Sequence, residues 1–206
     1  MNFNELDYIS LTATDIQNQI SKMSLKFPKE KDDEVENHLK FPMFVDSFYD
    51  FIKTEQKLPT QEEFWLYYCK KNVDYLESLN LIKPKKYALK ARIYRTYPSL
   101  IRDIHFACLL RDSKLFSTVM YNRDYDYKYG IDLILVKDNK TIGLNLFTDT
   151  RRAQHARTLK LYRPKKPVTF QCYDIPISLN TNNKLGDFYL DNEEHIKYIL
   201  EKIFQK

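Results

Sequence analysis

The chain is poor in glycine, with three residues in 206. That is too few for the Gly-rich loops that let a backbone close around a nucleotide phosphate, so P-loop and dinucleotide-binding chemistry is not expected. No G-x-S-x-G or H-E-x-x-H occurs, which removes the serine-elbow hydrolases and the helix-borne zinc proteases. Cysteine is scarce as well. Cys69, Cys108 and Cys172 each sit in an apolar stretch without C-x-x-C spacing, a pattern of reduced, buried thiols in a cytoplasmic protein rather than a disulfide frame or a zinc site. No window approaches the roughly 18 apolar residues of a spanning helix. No apolar N-terminal run of signal-peptide type is present, so no membrane partner is expected.

What is present is a globular composition, 43% hydrophobic and 15% aromatic, enough apolar surface to offset the entropy of an ordered chain. The length suits a helical N-terminal region, residues 1–88, and an α/β domain, residues 89–206, ending in a helix. The net charge of +5 conceals an asymmetry. Residues 85–170 hold 19 Lys and Arg against 7 Asp and Glu, a net of +12, whereas residues 1–84 and 171–206 are net acidic. A basic region of that size meets a polyanion through counterion release; the other reading is an interface with the acidic N-terminal part of the same chain.

Hydrophobic spacing predicts an amphipathic helix over residues 14–25 and a helical hairpin over 41–80, in which Thr60 and Glu63 have capping-box spacing. The aromatic stripe of Phe44, Phe48, Phe51, Phe64, Tyr67 and Tyr68 at helical intervals reads as core. A helix is expected from Tyr97 or Pro98 to Arg111, with Pro98 in its first turn. Strands follow over 115–121, 131–137 and 141–147, the last two a hairpin around Asp138-Asn139-Lys140. Residues 150–162 have the composition of a basic helix, Pro164 and Pro167 end it, and 168–173 returns as a strand. A final amphipathic helix spans 193–204.

The order helix, three strands, helix, strand, with Asp132 heading the middle strand after Gly130-Ile131, resembles the PD-(D/E)XK nuclease superfamily. The resemblance implies a restriction-endonuclease-like α/β core whose mixed sheet presents Asp132 and a carboxylate-x-lysine triplet on the next strand. It also implies Mg²⁺ as cofactor, DNA as the most probable partner with RNA as the alternative, and a setting in mobile elements and transposition, phage or host defence. The triplet facing Asp132 across the hairpin is Asn145-Leu146-Phe147, so an amide stands for the carboxylate and phenylalanine for the lysine. Asn145 could lend a neutral oxygen; Phe147 cannot orient or activate water. Further candidates are Asp103 on the preceding helix as a metal ligand, Asp149 just after the strand as an alternative to Asn145 in assisting the metal, and Lys160 or an arginine of the following helix near the scissile phosphate. The expectation is therefore a nucleic-acid-binding, nuclease-like scaffold with cleavage in doubt.

The segment Thr148-Asp149-Thr150-Arg151-Arg152 offers a cap and two arginines at the start of the basic helix, an arrangement that suits a phosphate. With Thr150, Arg151, Arg152, Arg157, Arg163, Lys165 and Lys166 the helix and its exit would track a nucleic-acid backbone. The rival reading is a non-catalytic adaptor that docks an acidic protein through this helix, with the aromatic hairpin of the N-terminal helical region as a second docking face.

Overall fold

The organising element is α5 (Lys83–Asp112), a helix of 30 residues that carries buried side chains along its whole length. It starts well before the Tyr97 or Pro98 expected from sequence, and Pro98 lies in its interior. A proline there has no N–H for the carbonyl four residues earlier. The structure supplies a substitute donor: the side-chain amide Nε2 of buried Gln61 donates to the Tyr94 carbonyl oxygen at 3.1 Å. The same side chain accepts from the Lys26 N–H at 2.7 Å and donates to the Lys26 carbonyl at 3.0 Å. A tertiary hydrogen bond thus carries the helix through its proline.

The structure, a computed structural model, describes residues 4–150, 168–177 and 184–204. N-terminal to α5 lie α1 (Ala13–Ile20), α2 (Phe44–Glu55), α3 (Gln61–Lys71) and α4 (Val73–Ser78). Capping boxes at Thr12/Asp15 and Thr60/Glu63 start α1 and α3, the second as its spacing predicts; α1 ends five residues before the predicted Leu25. The aromatic stripe is core: Phe48 meets Phe64 edge-on at 5.4 Å, and Phe44 meets Tyr68 at 5.2 Å. One apolar cluster runs from Leu6 and Ile16 through Phe48, Phe64 and Ile101 to Leu135, Leu144 and Ile199, and α5 crosses residues 88 and 89 without interruption.

The α/β architecture is observed. Four strands, β1 (Thr118–Met120), β2 (Leu133–Lys137), β3 (Lys140–Thr148) and β4 (Gln171–Ile177), form one sheet in that order. The first two pairings are antiparallel and β3–β4 is parallel. Asp138 and Asn139 at φ 49° and 62° make the two-residue left-handed turn whose twist suits a hairpin. β1 is shorter than the predicted 115–121, and β4 begins later than 168 and runs on through Pro176. Pro176 is tolerated because β4 lies at the sheet edge. A parallel return needs a crossover, and residues 150–162, predicted as the basic helix, lie outside the described residues except for Thr150, which sits in a bend after β3.

Between β1 and β2 stands an unforeseen helix, α6 (Arg123–Tyr129). Its RDYDYKY sequence has no apolar periodicity. Its ends were readable: the Asn122 side chain accepts from the Asp124 and Tyr125 N–H groups at 2.8 and 3.3 Å, and Gly130 closes it at φ 65°, the conformation that favours glycine. After a short hairpin, β5 (Lys184–Leu185) and β6 (Phe188–Tyr189), the last helix α7 (Glu193–Ile199) runs into a π-helical turn, Leu200–Phe204, burying Ile196, Ile199 and Ile203. Of the thiols expected to be buried, Cys108 is; Cys69 is half-buried and Cys172 exposed, because Cys172 lies on the edge strand. No helix among the described residues is long and apolar enough to cross a membrane.

Candidate active site: an aspartate-lined cavity at the head of β2

Asp132 precedes β2 by one residue and is fixed by the ladder it enters. Its N–H donates to the Leu144 carbonyl at 2.9 Å, and its Oδ2 accepts from the Leu146 N–H at 2.6 Å. The carboxylate thereby takes a rung of the hairpin that a backbone carbonyl would otherwise fill, and β3 aims it.

From that position Asp132 lines a cavity of about 80 Å³ together with Asp103, Asp126, Val45, Tyr49, Leu100, Tyr121, Leu133 and Leu146. Three aspartates from three places in the chain, α5, α6 and the head of β2, converge on a space large enough for several waters and far too small for a base. Asp103 was already a metal candidate from sequence. Asp126 was not, since its place depends on α6. No lysine, arginine or histidine is among the described residues lining the cavity, although Arg102, largely buried, lies 3.3 Å from Asp103. The field of the acids is felt by the tyrosines. Burial first, and then surrounding charges including Asp103, Asp126 and Asp132, pushes the Tyr49 phenol well above its ordinary range. Burial, Tyr49, Asp126, Asp46 and Asp132 do the same to Tyr121.

An ion network holds α6, and so Asp126, in place. The Arg123 guanidinium grips Glu5 through two nitrogens at 2.7 and 3.1 Å and reaches Asp50 at 2.7 Å. Lys53 adds a bond to Glu5 at 2.7 Å, and Lys71 pairs with Asp50. Burial works against the Asp50 charge, but the bonds from Lys71 and Lys53 and the Arg123 charge hold its carboxyl down to about 2. Sequence reasoning could not bring Glu5 and Arg123 together.

Asn145 lies elsewhere. Leu144 and Leu146 point toward the core, and the pleat turns Asn145 to the other side, where its Nδ2 donates to Asp174 Oδ1, its in-register neighbour, at 3.0 Å. Its buried Oδ1 has no hydrogen-bond partner among the described residues. Asp149 is exposed in the bend after β3, beside Thr150. Lys160, Arg151, Arg152, Arg157, Arg163, Lys165 and Lys166 lie outside the described residues. Much of the basic excess on α5 is neutralised internally: Lys85 pairs with Glu34, Lys90 with Glu62 and Arg95 with Glu36. Arg111 donates to the carbonyls of Ile9 and Leu11. For these residues the intramolecular reading of the charge asymmetry is the one observed.

A mixed four-stranded sheet flanked by helices is the architecture of a restriction-endonuclease-like, nuclease-like class of protein. Its family is narrower than that class: the model of the family described as TaqI restriction endonuclease matches residues 4–200, and this chain belongs to that family. Nothing matches among the curated proteins, nor among the solved structures.

Proposed function

We propose that the chain is a Mg²⁺-dependent DNA endonuclease whose metal is held by Asp132 together with Asp103 or Asp126. The observation that carries this reading is that Asp103, Asp126 and Asp132 line one cavity. Among the described residues no three carboxylate, histidine or cysteine side chains stand close enough to enclose one ion. Mg²⁺ does not require that: it is commonly bound by one or two carboxylates, with waters and substrate phosphate completing its shell. The all-oxygen set of carboxylates lining the cavity fits such a group.

When bound, the metal would polarise a phosphate oxygen and make water a better nucleophile. The chain's own contribution is positional. Asp132 is locked by the Leu146 N–H, Asp103 rides on the rigid α5, and Asp126 is set by the Arg123 network. Arg151, Arg152, Arg157, Lys160, Arg163, Lys165 and Lys166 are the residues we propose to follow the DNA backbone, each adding salt-dependent affinity without sequence preference.

The test is incubation of the purified chain with unmodified plasmid and genomic duplexes in Mg²⁺ or Mn²⁺, beside an EDTA control. Defined cleavage that disappears in Asp132→Ala and falls at least 100-fold in one or both of Asp103→Asn and Asp126→Asn is the expected result. No cutting with either metal, or cutting that survives Asp132→Ala, refutes the proposal.

A further inference from the structure

Tyr121 is held from every side except at its functional group. Its N–H donates to Asn4 Oδ1 at 3.2 Å, and its carbonyl accepts from the Glu5 N–H at 2.9 Å. Its ring stacks on Tyr49 with centroids 4.2 Å apart and planes 11° from parallel. The residue is 4% exposed, yet its hydroxyl has no hydrogen-bond partner among the described residues, and it lines the aspartate cavity. Buried polar groups are satisfied in the great majority of cases, so an orphan calls for a reason. A phenol is an ordinary hydrogen-bond donor at neutral pH, and the carboxylates that line the same cavity are acceptors.

We propose that Tyr121 is a catalytic residue whose hydroxyl donates a hydrogen bond to a non-bridging oxygen of the phosphate held at the aspartate cavity, stabilising the charge that develops there. The inference rests on the endonuclease reading. It assigns to a neutral phenol, fixed by stacking, part of the electrostatic work that a preorganised donor does at such a centre. Nothing covalent is asked of it: the proton stays on Tyr121 throughout, and only the acceptor's charge grows.

Tyr121→Phe removes one oxygen and leaves the stack on Tyr49 intact. Without metal or DNA the variant is expected to melt at the same temperature as the natural chain or above it, because an unpartnered buried hydroxyl has been deleted. Its kcat should fall about 100-fold, with KM for DNA and Mn²⁺ affinity by calorimetric titration each within about threefold. A second readout is the fluorine resonance of 3-fluorotyrosine placed at 121. It should shift when a short duplex is added in Ca²⁺, beyond any shift from Ca²⁺ alone. A lower melting temperature would mean a structural partner for the hydroxyl and overturn the assignment. So would unchanged kcat, or a resonance that responds to Ca²⁺ alone and not to the duplex. If the natural chain neither binds Mn²⁺ nor cuts DNA, the endonuclease reading fails first; if it does both and Tyr121→Phe matches it, only the role of Tyr121 falls.

Discussion

Arg123 links the chain's fifth residue to the helix that carries Asp126, and its removal has a magnitude that the structure decides. The Glu5 side chain is 5% exposed and that of Arg123 is 27% exposed. Breaking a buried pair by deleting one partner costs about 3–5 kcal/mol, whereas an exposed pair is worth about 0.2–1 kcal/mol. Glu5 lies near the buried limit, but Lys53 remains 2.7 Å away after the substitution and compensates part of the stranded charge. Arg123→Gln is therefore expected to cost about 2–3 kcal/mol, below the full buried-pair figure. In a double-mutant cycle with Glu5→Gln, urea unfolding at pH 7 followed by circular dichroism should give a coupling energy of about 2 kcal/mol. Cleavage by Arg123→Gln should fall further than its unfolded fraction explains, because Asp126 loses its anchor. A coupling of about 0.5 kcal/mol or less, the value of a solvated surface pair, would refute the reasoning.

Four further outcomes follow from particular contacts. Gln61→Leu strands the Tyr94 carbonyl at the proline break of α5 and should cost about 1–3 kcal/mol in urea unfolding; in a Pro98→Ala background, where the helix supplies its own donor, the cost should shrink, and an equal cost in both would contradict the assignment. Burial lowers the His105 imidazole to about 4, so its stabilising effect is complete above pH 6.5 and is lost as pH falls toward 4, on the order of 3 kcal/mol. His105→Gln should flatten that part of the stability profile relative to the natural chain. Asp191 acts in the opposite sense: burial, against the opposing charge of Arg102, raises its carboxyl to about 7. The fold thus bears a cost above pH 7 of roughly 4 kcal/mol that Asp191→Asn should relieve, and a variant no more stable than the natural chain at pH 8 would exclude it. Gly143→Ala brings a Cβ within 2.9 Å of Cys172 Sγ and 3.1 Å of both Ile131 and Phe170. It should cost about 1–2 kcal/mol by overpacking, and a melting temperature equal to that of the natural chain would show that the strands give way.

Local patterns on the chain were enough to set the hairpin of β2 and β3, the Thr60 capping box, the aromatic core of α2 and α3 and the position of Asp132. Each depends on residues within about a dozen positions of one another, where periodicity and turn chemistry act. The long reach of α5 was hidden because Pro98 is a local stop signal, and the donor that overrides it, Gln61, lies 33 residues from the carbonyl it serves. Helix α6 was hidden for a related reason: its stability comes from its caps and from Arg123 held by Glu5, 118 residues away, rather than from an apolar face.

The acid set divides the same way. Asp132 announces itself as a charged residue at the start of an apolar run, and Asp103 as a carboxylate on the helix before the sheet. Asp126 and Tyr121 carry no such mark. The amino-acid order by itself determined the β2–β3 hairpin, most of the remaining elements, the charge asymmetry and the place of Asp132 at the head of β2, because those follow from neighbouring side chains and backbone sterics. Which acids line one cavity, which cations on α5 are already neutralised, and which hydroxyl has no partner among the described residues were decided only by tertiary packing, since each depends on distances between segments that sequence separation does not encode.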